Sequence, residues 1–376
     1  MQPAVSVVMP IFNASKFLKE AMDSVINQTL TNIEIICVND GSTDDSLEIL
    51  RTYSESDKRI KIIDKPNAGY GHSMNVGLEK CAGKYFAILE PDDYIKPTMY
   101  EDLYKIASKY DLDFVRSDFY RFRDRTNGRK MYYHSLTANK SYYNTVLSPQ
   151  NNVDLFNVRM QNWTGIYSVN FLNKNNIRFH ESPGASYQDN SFWFQTYCYA
   201  NKIYYVDTPY YCYRWDNPAS STKQNNKVYA MLDEYKWIRE TVLEKHPELK
   251  EKFMGIYQYK KMHNCEFAFS LLAEKYRMAF LTRYSEEYKN ARDAGEINPS
   301  FFTPLEWERL QTIINDPKSY CEEYNIKEPI LRKQAQYTEE LEDAKDKGLI
   351  ATVKCYLKHE SICTLTKKAI RKLVEH

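Results

Sequence analysis

Glu90, Asp92 and Asp93, in "YFAILEPDDYIKP" (85–97), stand directly behind a run of strand-forming residues. A buried strand that ends on three carboxylates must solvate them, cap a following helix with them, or bind a cation. Several residues separate Asp92 and Asp93 from the segment that begins near Pro97, so a cap would be loose. Carboxylate oxygens are hard donors that suit Mg2+ or Mn2+. An ion of the magnesium type usually shares its shell with substrate phosphates, so the motif asks for a phosphorylated ligand nearby.

Other loops carry polar residues of a matching kind. Asp40, in "NDGST", sits in a tight turn, where it either closes the turn or accepts hydrogen bonds from a base or ribose. The stretch "NAGYGHSMNVG" (67–77) offers glycines that let backbone amides approach an anion. Gly69, Gly71 and Gly77 fit neither the G-x-x-x-x-G-K-S/T phosphate loop nor the dinucleotide fingerprint. Asp189, in "SYQDNSFWF", precedes an aromatic-rich helical segment and reads by itself as a helix cap.

These residues need a frame. Short β-branched or aromatic runs at 5–9, 33–39, 60–64, 85–89 and 113–117 predict buried strands. Phe17, Leu18, Ala21, Met22 and Val25 recur at helical spacing behind Ser15, an expected N-cap; Ser42 and Asp45 open a second helix carrying Leu47 and Leu50. Strands alternating with helices imply right-handed crossovers and a mostly parallel sheet, whose ligands bind at the carboxyl ends of its strands. "PIFN", "NDGST", "KPNAGYG" and "EPDD" follow the first four strands, so four polar loops converge on one edge. From about 119 to 220 the pattern is irregular and tyrosine-rich, with further strands at 203–206 and 210–214; beyond about 225 it turns to long charged helical segments.

Composition narrows the partners. In 376 residues, 51 Lys and Arg stand against 50 Asp and Glu, which gives no overall electrostatic reason to bind nucleic acid. The 32 tyrosines suit half-buried packing and flat contacts with sugar faces. The eight cysteines contain no C-x-x-C pair and read as buried thiols. "MQPAVSVVMPIFNAS" lacks a basic segment followed by a long apolar run, and no stretch approaches the length of a membrane span, so a cytoplasmic setting is expected.

Taken together, "VSVVMPIFNASKFLKEAMDSVINQTLTNIEIICVNDGSTDDSLEIL" and "NAGYGHSMNVGLEKCAGKYFAILEPDDYI" resemble the nucleotide-sugar half of a family 2 glycosyltransferase. The resemblance covers residues 4 to 115, and 155 to 222 more loosely. It implies a GT-A fold, an α/β Rossmann-like and mostly parallel sheet flanked by helices, over residues 1–222. Within it, 1–118 would bind the nucleotide-sugar, 119–222 would face the acceptor, and a C-terminal helical region would follow at 223–376. It also implies an inverting transferase that uses a nucleotide-diphospho-sugar, commonly a UDP-sugar, with Mn2+ or Mg2+. Carried over by position, Pro10, Phe12 and Asn13 would line the uracil and ribose pocket, Asp40 would contact the base, and Asn67, Gly69 and Asn75 would lie near the nucleotide. Glu90, Asp92 and Asp93 take the place of the family's acidic metal motif, with Asp92 and Asp93 as metal ligands and Asp92 the first choice. Two departures stand out. Glu90 replaces the usual Asp, and Met74 stands where many members have Arg, which leaves the diphosphate charge to Lys65, His72 or Arg214.

Inversion by direct displacement needs a base for the acceptor hydroxyl. Asp189 resembles the second acid of the family's Glu-Asp pair, with Gln188 in place of the first. Trp163, in "NWTGIYS", corresponds to a tryptophan beside the active site that could floor the sugar or acceptor pocket, or serve as a core aromatic. Arg214, in "YRWDNPASST", resembles a loop that folds over the donor and could stabilise the leaving phosphate. The acceptor would be a glycan, lipid-linked or protein-linked, in surface polysaccharide or glycoconjugate synthesis. The basic tail "TLTKKAIRKLVEH" could touch the inner face of the plasma membrane; a solvated helix or a homo-oligomer contact is the plainer reading. The rival functions are a sugar nucleotidyltransferase, whose glycine-rich first loop "PIFNAS" lacks, and a non-catalytic nucleotide-sugar or glycan-binding protein on the same fold.

Overall fold

A computed structural model describes residues 2–125, 128–218, 227–346 and 348–359; the basic tail at 364–376 lies outside the described residues. One sheet holds ten strands: β1 (Val5–Ile11), β2 (Ile33–Asp40), β3 (Ile60–Lys65), β4 (Tyr85–Ile88), β5 (Tyr94–Ile95), β6 (Phe114–Arg125), β7 (Gly128–His134), β8 (Val146–Leu147), β9 (Gly165–Ser168) and β10 (Ile203–Arg214). Their order is β3-β2-β1-β4-β9-β6-β10-β5, with β7 beside β6 and β8 beside β10. β1 to β4 pair in parallel, as do β6 and β10, whereas β9 runs antiparallel between β4 and β6. Every residue of β1 and β2 is buried, the pattern of strands covered on both faces, which is why they read as apolar runs and not as alternations.

The crossovers are α1 (Ser15–Ile26), α2 (Ser46–Ser56), α3 (Tyr70–Glu79) and α4 (Met99–Tyr110). α1 buries Leu18, Ala21, Met22 and Val25 as its spacing predicts, each large side chain contributing roughly 1.5–3 kcal/mol. Its cap differs from expectation. Ala14 holds the N-cap position, and the orphan amides at the helix entrance are satisfied from the loop after β2. Ser42 Oγ accepts from Asn13 N at 3.0 Å, Ser46 Oγ from Ala14 N at 3.0 Å, and Asp44 Oδ2 from Ser15 N at 2.9 Å. In return Asn13 Oδ1 accepts from Thr43 N at 2.8 Å. The first two polar loops are therefore one interlocked structure.

Gly71, in the first turn of α3, sits under a second chain segment: a Cβ built there would lie 2.0 Å from the His180 carbonyl oxygen. Gly→Ala normally favours a helix by nearly 1 kcal/mol, but here overpacking reverses the sign. Gly71→Ala should lose about 1–3 kcal/mol, read as a lower urea midpoint at unchanged slope.

Beyond α5 (Val169–Lys174) comes α6 (Asp189–Tyr199), which buries Phe192, Trp193, Phe194 and Tyr197 almost completely. A helix apolar all round needs cover on every side. α7 (Ala230–Ile238) and α8 (Pro247–Leu271) supply it: Tyr257 packs edge-on to Phe194 at 5.8 Å, and Asn264 Nδ2 donates to Asn190 Oδ1 at 2.8 Å. Residues 1–273 with 290–304 accordingly form one compact unit, and the seam expected at 222/223 falls inside it. The second unit, 274–289 with 305–376, is helical where it is described: part of α9 (Glu274–Asp293), then α10 (Pro304–Asn315), α11 (Pro317–Asp346) and α12 (Leu349–His359). Its core includes Phe280, Tyr284, Leu310 and Ile314. No helix among the described residues is long and apolar enough to cross a membrane.

Candidate active site

The loops after β2 and β3 are held together by Asp40. Its carboxylate pairs with Lys65 and accepts from Ala68 N and Gly69 N, each at 2.9 Å, while its carbonyl accepts from Asn67 Nδ2 at 2.9 Å. Gly69 needs its lack of a side chain: φ is +92°, and a Cβ would meet Gly184 N at 2.9 Å. Asn75 is buried and joins distant chain, donating to Phe179 O and Glu181 Oε1 and accepting from Phe179 N. Of the residues assigned to the nucleotide pocket, Pro10 lies buried inside β1 opposite Val38, whereas Phe12, Asn13 and Asn67 are exposed at the strand ends.

The acids after β4 divide by environment. Asp93 is buried, with Oδ2 accepting from Tyr211 OH at 2.9 Å and Oδ1 from Arg214 N at 2.7 Å, so both oxygens tie the loop to β10. Asp92 takes Asn217 Nδ2 on Oδ2 at 2.7 Å, and among the described residues no other side chain bonds its carboxylate. Glu90 accepts from Tyr70 OH at 2.8 Å. Burial first, and then the negative fields of Asp92 and Asp189, push Glu90 up to about 8 against the pull of that hydrogen bond. The three acids of one motif thus hold three different positions: an anchor, a half-buried carboxylate with one side-chain partner, and a protonatable neighbour.

All three side chains expected to meet a diphosphate already have partners within the fold. Lys65 is with Asp40, His72 Nδ1 lies 3.1 Å from Glu181 Oε2, and Arg214 is buried among Glu20, Asp124 and Asp216. Arg214 Nε also donates to Asp92 O at 2.9 Å, and its guanidinium lies over the rings of Phe17 and Phe122. Its charge is neutralised inside the fold.

Asp189 opens α6 and is solvent-exposed. Surrounding protein thins the hydration of its carboxyl and raises it above the ordinary range, opposed by a 3.2 Å hydrogen bond from Asn190. Asp189 lies near enough to the β4 acids for its negative field to act on Glu90 and on the Tyr70 hydroxyl. Three neighbours position it. Asn162 Nδ2 donates to Asp189 O at 2.7 Å, and Asn162 precedes Trp163, whose ring lies 4.2 Å from that of Tyr211. Gln188 Nε2 donates to Ser182 O, Ser182 Oγ and Gly184 O, while its Oε1 accepts from Ser186 N. Glu234 of α7 accepts from Ser191 N at 3.1 Å in the first turn of α6 and faces His180 Nδ1 at 2.7 Å.

Gln188 therefore works as a donor, which an ionised Glu cannot be. Gln188→Glu should cost about 1–3 kcal/mol by setting a buried carboxylate against two carbonyls, seen as a lower thermal midpoint at neutral pH. Sequence reasoning missed Tyr70, Tyr211 and Glu234. Tyr70 stood inside "NAGYGHS" as a signal, but Tyr211 and Glu234 become visible only when strands and helices far apart in sequence are assembled.

The sheet is mixed and not mostly parallel as expected, since β5, β7, β8 and β9 all pair antiparallel; its first four strands are parallel, and with acids after β4 and an aspartate opening α6 it has the architecture of the GT-A class of glycosyltransferase. S. aureus TarS residues 1–349, solved in complex with UDP-GlcNAc, shares this fold at a TM-score of 0.53 and 19% identity, covering 84% of this chain and 91% of that one. Residues 6–177 match the model of glycosyl transferase family 2. GlyG of Streptococcus pneumoniae is 30% identical over 57% of this chain and 71% of its own length. The chain belongs to glycosyl transferase family 2. GlyA of the same organism and EpsJ of Bacillus subtilis are each 31% identical, over 61% and 59% of this chain. The matched segment covers 33% of GlyA and 64% of EpsJ, less than two thirds of either.

Proposed function

We propose that the protein transfers a sugar, with inversion, from a UDP-sugar to a hydroxyl of a glycan acceptor, lipid-linked or protein-linked, in surface polysaccharide or glycoconjugate synthesis. The observation that supports this reading is the nearness of Asp189 to the β4 acids, since Asp189 and Asp92 both act on Glu90 through their negative fields. Asp189 takes the proton of the acceptor hydroxyl as its oxygen bonds to the anomeric carbon, and the bond from that carbon to the diphosphate oxygen breaks on the opposite face. Its raised basicity suits this role, because the carboxylate gains more from the proton than one in open water.

Asp92 fits a hard divalent cation: its side chain is only partly buried and has one side-chain partner among the described residues, whereas Asp93 is buried and fully engaged. Bound Mn2+ or Mg2+ would supply the positive charge that Lys65, His72 and Arg214 do not have free. Gly69 and the exposed Phe12 and Asn67 border the nucleotide side in this reading.

A thermal-shift panel of UDP-sugars with and without Mn2+ tests it. The midpoint should rise with UDP and Mn2+ together, corresponding to about 2.7 kcal/mol at a hundredfold excess over Kd, and fall back with EDTA. A UDP shift indifferent to EDTA would remove the cation from the account.

A further inference from the structure

Beside Tyr211 two arginines, Arg121 and Arg159, carry positive charge with no carboxylate partner among the described residues. Phe119 and Arg121 on β6 lie opposite Tyr211 and Tyr213 on β10 in register, and Tyr211 is the residue whose hydroxyl anchors Asp93. Trp163 covers both tyrosines, tilted on Tyr211 and stacked on Tyr213 with centroids 5.4 Å apart. The Arg121 guanidinium lies over the rings of Tyr213 and Trp215, and Trp215 is 47% exposed. Arg121 Nε is buried without a hydrogen-bond partner. Arg159 is exposed and donates from Nε to Ser135 O at 3.0 Å. Among the described residues neither guanidinium is paired with a carboxylate. Burial first, and then the field of Arg159, holds Arg121 below its ordinary value, and burial with both arginines does the same to His134.

Such an arrangement is unfavourable in the protein alone. Like charges brought together with a buried donor left open cost stability that an anion would return. Guanidinium forks match carboxylate and phosphate, and the aromatic rings offer flat faces to sugars. Asn162 connects this face to the catalytic cleft, since it precedes Trp163 and holds Asp189 by its carbonyl.

We propose that Arg121 and Arg159, with the wall of Trp163, Tyr213 and Trp215, form an acceptor subsite for a glycan that carries an anionic group, a carboxylate or a phosphate. The inference rests on the transfer reaction proposed above for its meaning as an acceptor subsite, while the binding itself needs no donor.

Titration calorimetry on the full chain tests it with three probes: a galacturonate tetrasaccharide, a glycerol phosphate tetramer and neutral maltotetraose. At least one anionic probe should bind about tenfold tighter than maltotetraose or better, as charge-assisted hydrogen bonds imply, and weaken as salt is added. Which one binds tells carboxylate from phosphate. Arg121→Gln with Arg159→Gln should lose that preference; Arg159→Gln alone, on an exposed side chain, should weaken it without altering the thermal midpoint. Binding of maltotetraose as tight as that of both anions, binding of neither anion, or an unchanged preference in Arg159→Gln overturns the proposal. UDP binding with Mn2+ on the same wild-type sample reports separately on the donor reading.

Discussion

Asp189→Asn should bind UDP in the presence of Mn2+ as the unaltered protein does and turn over about 10²- to 10⁴-fold more slowly, the range by which a positioned base accelerates proton transfer. The amide keeps the size of the carboxylate and can still accept from Asn190, so α6 keeps its first turn. It cannot take the acceptor's proton. The defect should therefore appear in kcat, with the thermal midpoint and the UDP-induced shift preserved. Normal turnover would move the base elsewhere, and a lost UDP shift would mean that Asp189 serves donor binding instead.

Arg214→Met should do the opposite. The guanidinium is 2% exposed on its side chain and joins Glu20, Asp124 and the Asp92 carbonyl, and its own amide holds Asp93. Removing the charge strands acids gathered from three parts of the chain, and breaking a buried pair costs about 3–5 kcal/mol. The half-exposed Asp124 and Glu20 can recover some hydration, which favours the lower end. Chemical denaturation should register the loss as a lower midpoint. Were Arg214 to face the leaving phosphate, the same variant would instead keep its stability and lose kcat.

The contrast between these two residues shows what the sequence could tell. Asp189 is local: a carboxylate before an aromatic helix, whose exposure follows from its place at the helix start. Arg214 has suitable chemistry in a suitable loop, but its partner Glu20 lies 194 residues away, and only the fold reveals that its charge is already matched. Asn75 is similar, since its partner Phe179 is 104 residues distant. Residue type reports what a side chain can bind; burial decides whether it is free to do so.

Element by element the same physics holds. β1, β2 and β4 were legible because strands covered on both faces must be apolar throughout, whereas β3, at the edge of the sheet, exposes Lys61 and Asp64 and was legible from Ile60, Ile62 and Ile63. β6 was legible only at its start. Its continuation through Arg121, Arg123 and Arg125 pairs with β7, and a charged strand of this kind gives no apolar run to read. α7 and α8 read as a separate helical region because of their charge, yet their buried faces complete the cover of α6.

Manganese placement is the most direct test of the central claim, that the acids after β4 hold the donor diphosphate through a divalent cation opposite Asp189. Anomalous diffraction from a crystal grown with UDP and Mn2+ should show a manganese peak within coordination distance of an Asp92 carboxylate oxygen and of the UDP phosphates. A peak bound only at another surface, or UDP ordered in the cleft with Asp92 facing solvent and no metal between them, would contradict it.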